Sequence, residues 1–208
     1  MKDINTVRLR CMLGWLGMLL PWIVVLLIGY FPGSISITYY TQQAITPFMI
    51  ILGSAGLLLI SYKGYEKVDD IITTIAGALA LGICLFPCYN YIGLDKVGTF
   101  QLPNNISSII HNTCAIVFFG LLAFNSFFLF TKSNGVMTAN KKKRNIVFRV
   151  CGVGMLASFL LLLLPYFRIQ IWLVETIALA FFGVSWLTKA NYYPWLFSGK
   201  RHTREETK

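Results

Sequence analysis

Apolar runs of near-constant length follow one another along the chain, separated by short polar breaks. A helix rises 1.5 Å per residue and the hydrocarbon core of a bilayer is roughly 30 Å thick, so a crossing takes about 20 mostly apolar residues. Six stretches meet that requirement: Cys11–Tyr30, Ile45–Tyr62, Asp70–Cys88, Ser107–Thr131, Val147–Phe167 and Ile169–Thr188. The last can run on towards Trp195. The expected fold is all-α, a polytopic membrane bundle of six transmembrane helices. The longest breaks, Tyr89–Ile106 and Lys132–Ile146, are too short to bury a core of their own. The chain therefore reads as one transmembrane domain over residues 1–208, with a basic tail over 189–208.

Composition agrees with the pattern. Only 12% of the 208 residues are charged and 56% are apolar, against about a quarter charged in an ordinary soluble domain. That balance excludes a disordered chain, a coiled coil and a disulfide-stapled secreted module.

The placement of the cations sets the expected orientation, because loops rich in Lys and Arg stay on the cytoplasmic side. With the N-terminus inside, that side receives Lys2, Arg8, Arg10, Lys63, Lys67, Lys132, Lys141, Lys142, Lys143, Arg144, Arg149, Lys189, Lys200, Arg201, Arg204 and Lys208. The outer side keeps Lys96 and Arg168. Both termini are expected in the cytoplasm, and the membrane is expected to be a bacterial inner membrane. The net charge of +10 is then a topological signal and a surface for anionic lipid, not a nucleic-acid patch. The Lys141–Arg144 loop and the C-terminal tail also offer a face to a cytoplasmic protein partner. The first run is too long for a signal-peptide core and no Ala-x-Ala-like site follows it, so it reads as a retained helix.

An ionisable side chain inside a membrane costs several kcal/mol and needs a reason. Glu175 is the one acid well inside a run, about 10 Å below the outer boundary at 1.5 Å per residue. His111 sits at similar depth near the start of the fourth run, and a carboxylate–imidazole bond between them would offset part of both burial costs. Asn112, Thr176, Tyr89, Asn90 and Tyr40 fall at the same level and complete a candidate polar cavity facing outward. Three readings stand: an interhelical tie, a ligand or ion site, and a catalytic pair. Tyrosines at this depth also fit an interfacial belt.

Small residues fall at spacings of three and four, at Thr73, Gly77, Ala80 and Cys84, at Gly154 and Ser158, at Thr176, Ala180 and Gly183, and at Gly53 and Gly56. Such stripes let helices approach closely, within one chain or between subunits of a homo-oligomer. The five cysteines all lie in apolar runs without a Cys-x-x-Cys and read as small apolar residues. One intramembrane histidine falls short of a catalytic zinc set, so no metal, no cofactor and no catalytic residue is assigned. Asp69 and Asp70 open the third helix, where carboxylates favour the helix dipole.

The ordered set Ser34-Ile-Ser-Ile-Thr-Tyr-Tyr-Thr41, Tyr62-Lys-Gly-Tyr65, Asp69-Asp-Ile71, Phe86-Pro87, Ile110-His111, Phe118-Phe119, Arg144-Asn145, Arg149-Val-Cys-Gly152 and Glu175-x-Ile-Ala-x-x-x-Phe-Gly-x-Ser-Trp-Leu-Thr-Lys189 resembles a group of uncharacterised six-helix bacterial membrane proteins of about this length. That resemblance covers nearly the whole chain and implies a fold without an activity. A more distant likeness is to DRAM-like and other small helical bundles of no assigned function, and to the alkaline ceramidase and adiponectin-receptor superfamily, which holds an intramembrane zinc with three histidines. Here only His111 is placed for that role and no His-x-x-x-His pair occurs. The leading expectation is a non-enzymatic protein that binds a lipid or amphiphile, or senses membrane state. The alternatives are an ion or proton channel or small transporter using Glu175, and an intramembrane lipid hydrolase.

Overall fold

A computed structural model describes residues 4–133, 137–161 and 170–192. Among them are six α-helices: α1 (Ile4–Ile28), α2 (Gln42–Ser61), α3 (Lys67–Leu85), α4 (Asn104–Phe124), α5 (Ala139–Leu160) and α6 (Ile171–Ala190). A 3-10 turn, Ser36–Tyr40, precedes α2, and α4 runs on through one π-turn at Asn125–Leu129. The described strands are the two-residue β1 (Lys96–Val97) and β2 (Leu102–Pro103), an antiparallel hairpin before α4. Five helices are long and apolar enough to cross a membrane: α1, α2, α3, α4 with its π-turn, and α6. The fifth apolar run is different. Its helix starts eight residues early, in the Lys141–Arg144 cations, and residues 162–167 of the run lie outside the described residues.

Local chemistry explains where the helices begin. Thr138 is the N-cap of α5, its hydroxyl accepting the Lys141 N–H at 3.2 Å. At the start of α3 the Asp69 carboxylate accepts the Tyr65 N–H at 2.8 Å and Asp70 accepts the Gly64 N–H at 2.7 Å. The expected pair of acids at that helix start is thus a loop clasp as well as a dipole partner.

Each helix packs on the next, and α6 returns to pack on α1, so the six form a closed ring in chain order. Short links make neighbours antiparallel. One end of the ring gathers Arg10 with Tyr62, Lys132 with Glu66, and Arg144 with Asn191. The other gathers Gly33 with Trp172, Tyr40 with Cys88, and Asn90 with Asn104. We call these the basic end and the far end.

Two glycine contacts bring the backbones together. A Cβ on Gly56 would stand 2.9 Å from the Gly77 carbonyl oxygen, and a Cβ on Gly183 would stand 2.7 Å from that of Gly14. The expected small-residue stripes at Gly77 and Gly183 are therefore seams of α2–α3 and α1–α6. Gly53 is an exception, with open space where its Cβ would be.

Outside, the ring is apolar. Leu26, Ile50, Ile75, Ile116, Val150 and Leu173, one from each helix, all face outward and exposed. An apolar belt on every helix is what a hydrocarbon solvent accepts and water does not. Helix α6 is the most enclosed, with 61% of its apolar window buried against 33–39% for the other four. Glu175 and Lys189 both lie on it.

Candidate functional site

Helix α3 stops where Pro87 removes a donor, and the chain runs on non-helically through Phe86–Asn90 into the interior. Its carbonyls need donors there, and side chains from two other segments, α4 and the 3-10 turn before α2, supply them. His111 Nδ1 lies 2.8 Å from the Phe86 oxygen, the Ser107 hydroxyl donates to Pro87 at 2.8 Å, and the Tyr40 hydroxyl donates to Cys88 at 2.7 Å. Asn104 closes the series, accepting the Asn90 N–H at 2.8 Å and donating to the Asn90 oxygen at 2.9 Å. A carbonyl only accepts, so Nδ1 of His111 carries a proton. Burial pushes the Tyr39 and Tyr40 hydroxyls above the usual phenol range, and Tyr40 is protonated as the donor to Cys88.

Glu175 stands elsewhere. Its Oε2 accepts the Ile35 N–H at 2.5 Å, across 140 residues of sequence. It lines a cavity of about 40 Å³ with Leu20, Phe48, Leu52, Ile83, Phe118 and Phe119, drawn from α1, α2, α3 and α4. Ser36 adds the one other polar side chain on that wall. Room of this size takes roughly one to three waters. Among the described residues no hydrogen bond reaches Oε1.

The seven residues expected to share a cavity therefore divide. Glu175 alone lines the central cavity. His111, Tyr40 and Asn90 tie the chain after α3. Thr176 returns its hydroxyl to the Trp172 carbonyl at 2.7 Å within α6. Asn112 points outward and exposed, and Tyr89 is exposed with its ring 5.0 Å from that of Tyr91. His111 and Glu175 have separate partners. Sequence reasoning missed Ile35 and Ser36 as neighbours of Glu175, because the 3-10 turn that brings them in has no hydropathy signature. Among the described residues no cluster of three or more His, Cys, Asp or Glu side chains is placed to hold a metal.

No family model, no curated protein and no solved structure matches the chain.

At the basic end, Lys189 is buried, with its Nζ 4.6 Å over the Tyr65 ring and 4.5 Å over the Phe130 ring. Such a seat stabilises a cation that has lost its water. Lys141 donates to the Phe130 oxygen at 2.8 Å, and burial followed by the nearby Arg144 charge holds its ammonium below the usual lysine range. These groups were legible only as loop charge, since nothing in the sequence says which cations turn inward.

Proposed function

We propose that this chain is an integral membrane protein, without chemistry of its own, that binds an amphiphile through a polar end seated at Glu175. The observation that carries the reading is the single carboxylate on a wall that is apolar and aromatic but for Ser36, with one oxygen held by Ile35 and the other open. A carboxylate in such surroundings favours a cationic or hydrogen-bond-donating group, while Phe48, Phe118 and Phe119 favour an apolar body or a cation over their faces. The cavity takes only the polar end, so the apolar part lies against the helices and enters by parting them. The basic end, facing the cytoplasm with both termini, is the side from which occupancy would be read by anionic lipid or a cytoplasmic partner. All six helices cross the bilayer, and a bacterial inner membrane fits the cation asymmetry.

Native mass spectrometry of the gently purified protein beside its Glu175→Gln variant tests this. A discrete co-purified mass, lost in the variant while the helix content is kept, is the expected result. Equal bare masses in both would overturn it.

A second reading is a path for protons or a small cation through Glu175. The size of the cavity favours it, since the space suits waters better than a lipid tail. Flux across proteoliposomes that disappears in Glu175→Gln would replace the first reading with this one.

A further inference from the structure

The basic run at the start of α5 divides in two. Lys142 and Lys143 face out, exposed, whereas Lys141 and Arg144, one turn apart on a common face, turn into a second cavity. That cavity measures about 320 Å³, roughly ten water volumes, and is also lined by Tyr65, Lys132, Ser133 and Thr138. The Tyr65 ring that covers Lys189 is part of the same wall.

Its charge is not balanced. Glu66, the one acid on the wall, is taken by Lys132 at 2.6 Å. Arg10, Lys141 and Arg144 are close enough to Lys189 for their charges to repel it, and Asp69 is the carboxylate near enough to attract it. Asp69 gives its Oδ2 to the clasp before α3, and its Oδ1 is buried without a hydrogen-bond partner, one acceptor against several cations. Lys132, Lys141 and Arg144 thus line the cavity against Glu66, with Lys189 behind the Tyr65 ring, and Arg10 and Asp69 near Lys189. Donors are left over too. Arg144 Nε is buried with no partner and its Nη1 makes one long contact, 3.5 Å, to Asn191. Arg10 Nε is likewise buried and unpartnered. Lys141 spends one of three donors on Phe130, and the Thr138 hydroxyl, which accepts from Lys141 N–H, keeps its own proton to give. The N-terminus of α5 adds its dipole at the same place.

We infer that this cavity binds a phosphate group, between Lys141 and Arg144 and over Tyr65, with Lys189 and Arg10 supplying charge from beneath. Phosphate fits because it offers several acceptor oxygens and up to two charges to a guanidinium fork, an ammonium group and a hydroxyl that each keep a donor to give. Its source is either the headgroup of an anionic phospholipid in the adjoining leaflet or a free phosphate from solution. The site is at the opposite end of the ring from Glu175 and does not rest on the function proposed for it.

The test uses the full chain in detergent, titrated with phosphatidylglycerol, phosphatidylcholine and inorganic phosphate, and read by native mass spectrometry. One-to-one retention of phosphatidylglycerol over phosphatidylcholine assigns the lipid source, and saturable uptake of inorganic phosphate assigns the free anion. Either is expected to weaken about tenfold or more in the Lys141→Gln/Arg144→Gln double variant. It is expected to hold within about twofold in Lys142→Gln/Lys143→Gln, which removes the same charge from the exposed side. Lys189→Met, which keeps the stem between the two rings, should weaken it several-fold even where the first double variant folds poorly. Absence of one-to-one binding by either probe, or equal weakening in both double variants, overturns the site.

Discussion

Glu175 Oε2 and the Ile35 N–H, 2.5 Å apart, join the second turn of the last described helix to the loop that follows the first. A glutamine at 175 keeps an acceptor for that N–H, whereas a leucine leaves a partly buried donor alone. Glu175→Gln should therefore change thermal stability in detergent by less than about 1 kcal/mol, and Glu175→Leu should cost about 1–3 kcal/mol. Equal loss in both would show that the charge, and not the hydrogen bond, holds Ile35.

His111 acts on Phe86 as a cap for a helix that Pro87 has cut short. His111→Ala strands a buried carbonyl and should cost about 1–3 kcal/mol, with faster hydrogen exchange in residues 86–104. Asn112→Ala, next to it but exposed, should stay within about 0.5 kcal/mol. If both variants exchange and melt alike, the Phe86 tie is not what holds this segment.

These two ties show what hydropathy can and cannot see. It found the apolar part of every helix, because a membrane segment must be long and apolar. It missed the polar turns of α1, which is already helical at Ile4 ahead of Cys11, and of α5, which starts at Ala139 and not Val147. There the helix continues past the apolar stretch, and at α5 the Thr138 cap sets the boundary. Glu175 and His111 stand out in the sequence as ionisable groups within apolar runs, but their partners were not legible. A carbonyl freed by Pro87 and an N–H presented by a 3-10 turn are backbone groups, and sequence names only side chains.

Gly56 and Gly77 face each other across the α2–α3 seam, each leaving room for the other's carbonyl. Gly77→Val should force the helices apart and cost about 1–3 kcal/mol. Gly53→Val, on the same helix as Gly56 but with open space around it, should be tolerated within about 0.5 kcal/mol. Unfolding curves of the two variants in one detergent decide it, and an unshifted Gly77→Val would mean that the seam does not depend on small residues.

Asn125 poses the opposite case, a polar group with nothing to hold. It is 1% exposed, and neither its amide nitrogen nor its oxygen has a partner. It opens the π-turn whose Phe130 N–H returns to the Asn125 carbonyl at 2.9 Å, and the next residue, Ser126, meets Ser185 of α6 at 2.7 Å. The turn is thus secured by the backbone and the serine pair, and the Asn125 side chain contributes only its desolvation cost. Leucine has nearly its shape and no polar group to bury. Asn125→Leu should raise thermal stability, by about 1–2 kcal/mol, while Ser126→Ala should lower it by leaving the Ser185 hydroxyl alone. A loss of stability in Asn125→Leu would mean that the amide has a water or an ion as partner at the level of the π-turn, and would move the search for a permeation path from Glu175 down to Asn125.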